Sequence, residues 1–122
     1  MKRFSRRSLK NLAGVRPELV LLAGRALVYT DIDFVVIEGL RTLERQRRLF
    51  DLGATWTLNS KHLDGQAIDV AAWVDGDIRW DWPLYEKIFE AFEQAGIDYG
   101  IHFTWGGDWK KYRDGPHFEL FG

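Results

Sequence analysis

The sequence predicts an α+β fold: a small, mainly antiparallel sheet flanked by helices. Two observations carry this. Segments with helical and strand patterning alternate as helix, strand, helix, strand, helix, and two strand candidates then follow in succession. Those last strands are expected to be joined by turn-sized links, which favours antiparallel pairing over a doubly wound parallel sheet. No internal repeat, low-complexity tract or Pro/Gly linker divides the 122 residues, so one catalytic domain over 1–122 is expected.

Ser8 to Leu12 reads as a short helical turn ending near Gly14. Pro17 suits the first turn of a helix. Leu19, Leu22, Ala23 and Ala26 follow at helical spacing, giving a helix from about Pro17 to Tyr29. Phe34-Val35-Val36-Ile37 is short, apolar and β-branched, the pattern of a buried strand closed by Gly39. Thr42 can cap a second helix on which Leu43, Gln46, Leu49 and Phe50 share a face. Residues 53–61 are polar and read as a loop. Ala67 to Ala71 reads as a strand, and Asp75-Gly76 as a hairpin turn. Trp82 to Gln94 forms a third helix, with Pro83 at its start and Gly96 past its end. Gly100 to Trp105 and His117 to Phe121 supply the last strands. Six tryptophans divide between core and groove.

Composition removes several function classes. A net charge of −1 provides no general attraction to nucleic acid or anionic membrane. The apolar run 19–27 contains Arg25 and is too short to span a bilayer. Lys2, Arg3, Arg6 and Arg7 resemble the start of a signal peptide, but Ser8, Lys10 and Asn11 interrupt the apolar stretch that should follow. No export signal and no membrane insertion are therefore expected, and the chain is expected to be monomeric. With no cysteine, thiol nucleophiles and thiolate zinc sites are excluded, so any metal site must draw on His, Asp and Glu.

Two segments concentrate such residues. In Ser60-Lys61-His62-Leu63-Asp64-Gly65-Gln66-Ala67-Ile68-Asp69, a histidine ends a loop, a glycine permits a tight turn, and an aspartate follows on a strand. In Asp114-Gly115-Pro116-His117-Phe118-Glu119, a second imidazole is flanked by carboxylates. His62, Asp69 and His117 together offer three metal ligands and leave a fourth position for water, the open form of a catalytic zinc site. A nearby carboxylate can act as base, and spacing alone leaves both Asp114 and Glu119 in that role. The helical His-Glu-x-x-His pattern is absent.

Ser60-x-His62-x-x-Gly65-x-Ala67-x-Asp69 followed by Asp114-x-Pro116-His117 resembles the signature of the zinc D-alanyl-D-alanine peptidase group. Within it, the phage endolysins that act as L-alanyl-D-glutamate endopeptidases are most similar. The likeness extends to Ser8-Leu9, Leu12 to Val15, Pro17 to Leu19, Phe34 to Thr42 with Gln46, and Trp105 to Trp109. It implies a fold shared with D-Ala-D-Ala peptidases and the hedgehog signalling domain, and a Zn2+ cofactor held by His62, Asp69 and His117. It makes Asp114 the acid/base; Glu119, two residues after His117 and so on the same strand face, is then read as orienting a ligand imidazole, with the base role as its alternative. Arg41 matches an arginine that binds substrate or polarises its carbonyl; an ion pair with Glu38 or Asp108 is the structural alternative. Ser60 either bonds substrate or orients His62, Gln46 either meets substrate or ties loops together, and Trp105 either walls the cleft or packs in the core. His102 is taken as structural. The implied substrate is the L-Ala-D-Glu bond of the peptidoglycan stem peptide, reached from the host cytoplasm through a holin-type pore. The alternatives are a D-alanyl-D-alanine carboxypeptidase and a non-catalytic, zinc-containing wall-binding module.

Overall fold

The computed structural model describes residues 2–55 and 57–122; Trp56, in the expected 53–61 loop, lies outside the described residues. Helix α1 spans Arg6–Asn11, with the Ser5 side chain accepting from the Ser8 backbone N–H. Helix α2 spans Pro17–Tyr29, and its buried residues Leu19, Leu22, Ala23, Ala26 and Leu27 make one continuous apolar stripe.

Strands β1 (Phe34–Glu38), β2 (Ala67–Val74), β3 (Asp77–Arg79), β4 (Phe103–Trp105) and β5 (His117–Leu120) form one sheet in the order β1-β2-β5-β4, with β3 beside β2. Every pairing is antiparallel. Asp75 and Gly76 both take positive φ, 52° and 80°, and close the β2–β3 hairpin as its turn signal predicts. The link from β4 to β5 is longer than the turn expected, since residues 106–116 lie between them with a 3-10 turn at Gly106–Asp108. Antiparallel pairing survives because the Gly106 carbonyl accepts from both Trp109 N–H and Asp114 N–H, folding the excursion back on itself. Helix α1 seals the outer edge of β1: Ser8 Oγ accepts from Val36 N–H at 2.9 Å and Asn11 Nδ2 donates to Val36 O at 2.8 Å.

Helix α3 (Leu43–Asp51) begins at Thr42, whose hydroxyl accepts from Arg45 N–H. On the face shared by Leu43, Gln46, Leu49 and Phe50 the amide is the residue that goes in, for Leu43 is 67% and Phe50 41% exposed while Gln46 is fully buried. A buried amide anchors this helix in place of a hydrophobic stripe. Helix α4 runs Trp82–Tyr99, five residues beyond the expected end, and Gly100 at φ 65° stops it. Gly96 lies inside the helix because a Cβ there would come within 2.8 Å of Ile101 O as the chain turns back into β4. The same cap delays β4 to Phe103.

The core lies between α2, α4 and one face of the sheet, where Val36, Ile68, Val70 and Phe118 meet Tyr85, Ile88 and Phe92. Phe92 stacks on Phe118 with ring centroids 3.9 Å apart. Phe92→Ala is expected to cost about 3–5 kcal/mol, measurable by urea unfolding; a loss below about 1 kcal/mol would contradict this packing.

Candidate metal centre

The site forms on the sheet face opposite the core. Register places Glu38 opposite Asp69, and Asp69 opposite His117, so three polar side chains line up across β1, β2 and β5. A uniform β1 would set Ile37 against Asp69. A bulge between Val36 and Glu38 adds one residue and brings Glu38 to the polar face.

His62 enters from a 3-10 turn, Lys61–Asp64, whose cap is Ser60: its hydroxyl accepts from His62 N–H at 3.2 Å. The His62 carbonyl accepts from Arg41 N–H at 2.9 Å. Its ring Nδ1 lies 2.9 Å from Gly39 O, which places the proton on Nδ1 and turns an open Nε2 toward Asp69 Oδ2 at 3.3 Å. Gly39 must be a glycine, because a Cβ would sit 2.0 Å from Asn11 O.

His117 uses the opposite nitrogen. Its Nε2 lies 2.8 Å from Glu119 Oε1, and its Nδ1 lies 3.0 Å from Asp69 Oδ1. Glu119 is in turn held 3.2 Å from Lys61 Nζ. Burial disfavours charge on His117, but the hydrogen bonds to Asp69 and Glu119 outweigh it and raise the imidazole pKa to about 9. Burial likewise acts against the Asp69 anion, and its two histidine partners hold the carboxyl well below the usual carboxylate range. In the metal-free protein His117 is thus a cation at neutral pH. Its folded pKa exceeds the unfolded value of about 6.5, so the stability it contributes is complete below that pH and lost as pH rises through about 9. Melting of metal-free protein between about pH 6 and pH 10 should show the midpoint falling over that window; a flat profile would count against the His117–Asp69–Glu119 pairing.

One donor atom from each of His62, Asp69 and His117 lies within 4.8 Å of the others. Two ligands of a tetrahedral ion about 2.1 Å away stand roughly 3.4 Å apart, close to the observed His62–Asp69 separation of 3.3 Å. Both imidazoles have their other nitrogen engaged, by a carbonyl and by a carboxylate, the arrangement that fixes metal-binding histidines. The three residues therefore fit a metal ion.

The surrounding cleft holds about 790 Å³ and is lined by Arg41, Ser60 and Asp114 as well as the three candidate ligands. Arg41 is buried; its Nε donates to Glu38 at 2.8 Å, its Nη1 to Gln46 Oε1 at 2.7 Å, and its Nη2 stands 3.8 Å from Asp69. It thus makes the ion pair with Glu38 and also lines the cleft, with no bond to Asp108. Gln46 does not line the cleft; its amide donates to Thr57 O at 2.7 Å, tying the loop to Arg41. The Asp114 side chain has no hydrogen-bond partner among the described residues, and burial first, then the Asp69 charge, raises its pKa.

Trp105 is not a cleft wall. It pairs with Phe118 and so faces the core, where it stacks 4.5 Å from Phe89 and donates to Gly115 O at 2.7 Å. The aromatic wall comes from Trp109, 4.9 Å from the His117 ring, and from Tyr112. Sequence reasoning missed these two and Lys61; proximity of Lys61 to His62 and of Trp109 to the Trp105–Gly107 stretch was the available signal.

A family profile described as phage L-alanyl-D-glutamate peptidase matches residues 1–121. The L-alanyl-D-glutamate peptidase of Escherichia phage T5 is 37% identical, with 97% of each chain covered. The crystal structure of the Serratia marcescens L-Ala D-Glu endopeptidase ChiX superposes with a TM-score of 0.92 at 45% identity, covering 98% of this chain and 90% of that one. The vancomycin-resistance D,D-dipeptidase VanXYg, crystallised with a D-Ala-D-Ala phosphinate analogue, matches with a TM-score of 0.52 at 25% identity, covering 84% of this chain and 47% of its own. The antiparallel sheet with its flanking helices is thus the D-Ala-D-Ala peptidase-like fold, and the chain belongs to the phage L-alanyl-D-glutamate peptidase family.

Proposed function

We propose that the chain is a zinc-dependent peptidoglycan hydrolase that cleaves the L-Ala-D-Glu bond of the stem peptide. The observation that carries the proposal is the meeting of a three-ligand cluster and an unpartnered carboxylate, Asp114, in one cleft of a chain from this family. His62 through Nε2, Asp69, and His117 through Nδ1 would hold the ion. When bound, zinc supplies Lewis acidity, which lowers the pKa of a water and polarises a carbonyl.

The chain's own groups divide the remaining work. Asp114 takes the proton from the attacking water and later delivers it to the leaving amine of D-Glu. Its raised pKa suits both halves of that cycle. Arg41, fixed by Glu38 and Gln46, presents its Nη2 toward the site as a donor for the oxyanion. Ser60 and Glu119 orient His62 and His117 respectively. Residues 1–122 act as one catalytic unit and reach the wall from the host cytoplasm through a holin-type pore. Among the described residues no helix is long and apolar enough to cross a membrane.

A second reading, a D-alanyl-D-alanine carboxypeptidase, draws support from the likeness to VanXYg. Mass spectrometry of purified peptidoglycan digested with and without a zinc chelator separates the readings. New N-terminal D-Glu ends that vanish with chelator support the endopeptidase. Release of free D-Ala would replace it by the carboxypeptidase, and no product with zinc present would leave a binding module.

A further inference from the structure

Among the described residues three lysine or arginine side chains line the cleft: Arg41, Lys61 and Lys111. Two are committed, Arg41 to Glu38 at 2.8 Å and Lys61 to Glu119 at 3.2 Å. Lys111 is exposed and enters no ion pair or hydrogen bond among the described residues. It is not on a loose tail. On one side Trp109 N–H donates to Gly106 O at 3.2 Å and its ring stands 4.9 Å from that of His117. On the other, Arg113 Nε donates to Gly107 O at 2.9 Å and its guanidinium lies 4.3 Å over the Trp82 ring. Between these pins Tyr112 adopts φ 55°, a left-handed conformation that is costly for a bulky side chain. The loop therefore holds a strained turn that places Lys111 and Tyr112 along the cleft, three and two residues before Asp114.

The proposed substrate brings a charge to this place. A glutamyl residue joined onward through one carboxyl keeps the other, which is ionised at neutral pH. If the onward link uses the side chain, the retained carboxylate sits on the carbon bonded to the scissile nitrogen, the atom that Asp114 must protonate. That carboxylate would enter a cleft already lined by Glu38, Asp69, Asp114 and Glu119, and like charges repel unless a cation intervenes. We propose that Lys111 receives the free carboxylate of the D-glutamyl residue, so that the enzyme selects stem peptides carrying an ionised group there over amidated ones. This rests on the endopeptidase reading. A point charge on a flexible stem can follow the carboxylate from ground state to leaving group.

The test compares kcat/KM of the zinc-loaded chain on two synthetic stem peptides, identical except that one has the free carboxylate and the other a carboxamide. Wild type should prefer the acid by about fivefold or more, and added salt should shrink that preference because the pair is exposed. Lys111→Gln should bring the ratio close to one by losing rate on the acid. Lys111→Arg should restore it. Lys110→Gln, one residue away and outside the cleft lining, should leave the ratio as in wild type. Equal cleavage of both peptides by wild type, or an equal loss on both in Lys111→Gln, overturns the assignment while leaving the endopeptidase reading intact. Cleavage of neither by wild type overturns both.

Discussion

Asp114→Asn is expected to lower kcat/KM by about a thousandfold, within the range ascribed to a positioned acid/base, while one metal ion per chain is retained. The substitution keeps the shape of a side chain that touches no hydrogen-bond partner among the described residues, so folding should be undisturbed. It removes a carboxyl whose pKa is raised by burial and by the charge of Asp69. The competing base, Glu119, is poorly suited. Burial would raise its pKa, but hydrogen bonding to His117 and the charge of Lys61 outweigh that and keep it an anion with both oxygens engaged. Steady-state kinetics on a stem peptide, together with elemental analysis of the dialysed protein, decide the matter. Near-normal turnover in Asp114→Asn would transfer the role to Glu119, and loss of metal would make Asp114 a ligand.

Asp69→Ala should have the other large effect, abolishing stoichiometric metal binding and activity together. Among the described residues this carboxylate is the one acid in contact with both imidazoles, at 3.3 Å from His62 and 3.0 Å from His117, and Arg41 stands 3.8 Å away. Its loss deletes one of three ligands and leaves a cationic His117 and Arg41 with less compensation. Buried charges deprived of a partner are destabilising by several kcal/mol, on the order of 3–5. The metal-free variant should therefore also melt below metal-free wild type. Competitive titration with a chromophoric chelator and thermal melts measure the two effects. An Asp69→Ala protein that still holds one zinc per chain at wild-type affinity would dismantle the proposed ligand set.

The parts of the fold legible in the sequence are those set by local periodicity and steric rules. Helix α2 shows its stripe at Leu19, Leu22, Ala23 and Ala26, and the Asp75-Gly76 turn follows from backbone preference alone. The site residues were legible because the chain has only three imidazoles and the spacing of two of them from carboxylates resembles a known signature. What escaped depended on contacts distant in sequence. Gly96 reads as a terminator until Ile101 and Phe103 are seen to pack against it. The apolar residues of α3 suggest a core face, whereas the helix docks through Gln46 to partners at Arg41 and Thr57. Trp105 could face either way until its pairing with Phe118 turns it to the core.

The bulge in β1 lies in a run of similar apolar residues, Val35, Val36 and Ile37, and has no residue of its own to betray it. It makes the centre depend on the extra residue being bulged out of register more than on side-chain identity. Valine, isoleucine or leucine can exchange along the run with modest repacking. Straightening the bulge at unchanged length would instead carry Ile37 beside Asp69 and swing Glu38 toward the apolar layer opposite Ile68, stripping Arg41 of its carboxylate acceptor. Deleting one residue of the run would remove the bulge and still leave Glu38 opposite Asp69, so an alignment gap here would mark a homologue with a regular strand and the same polar row.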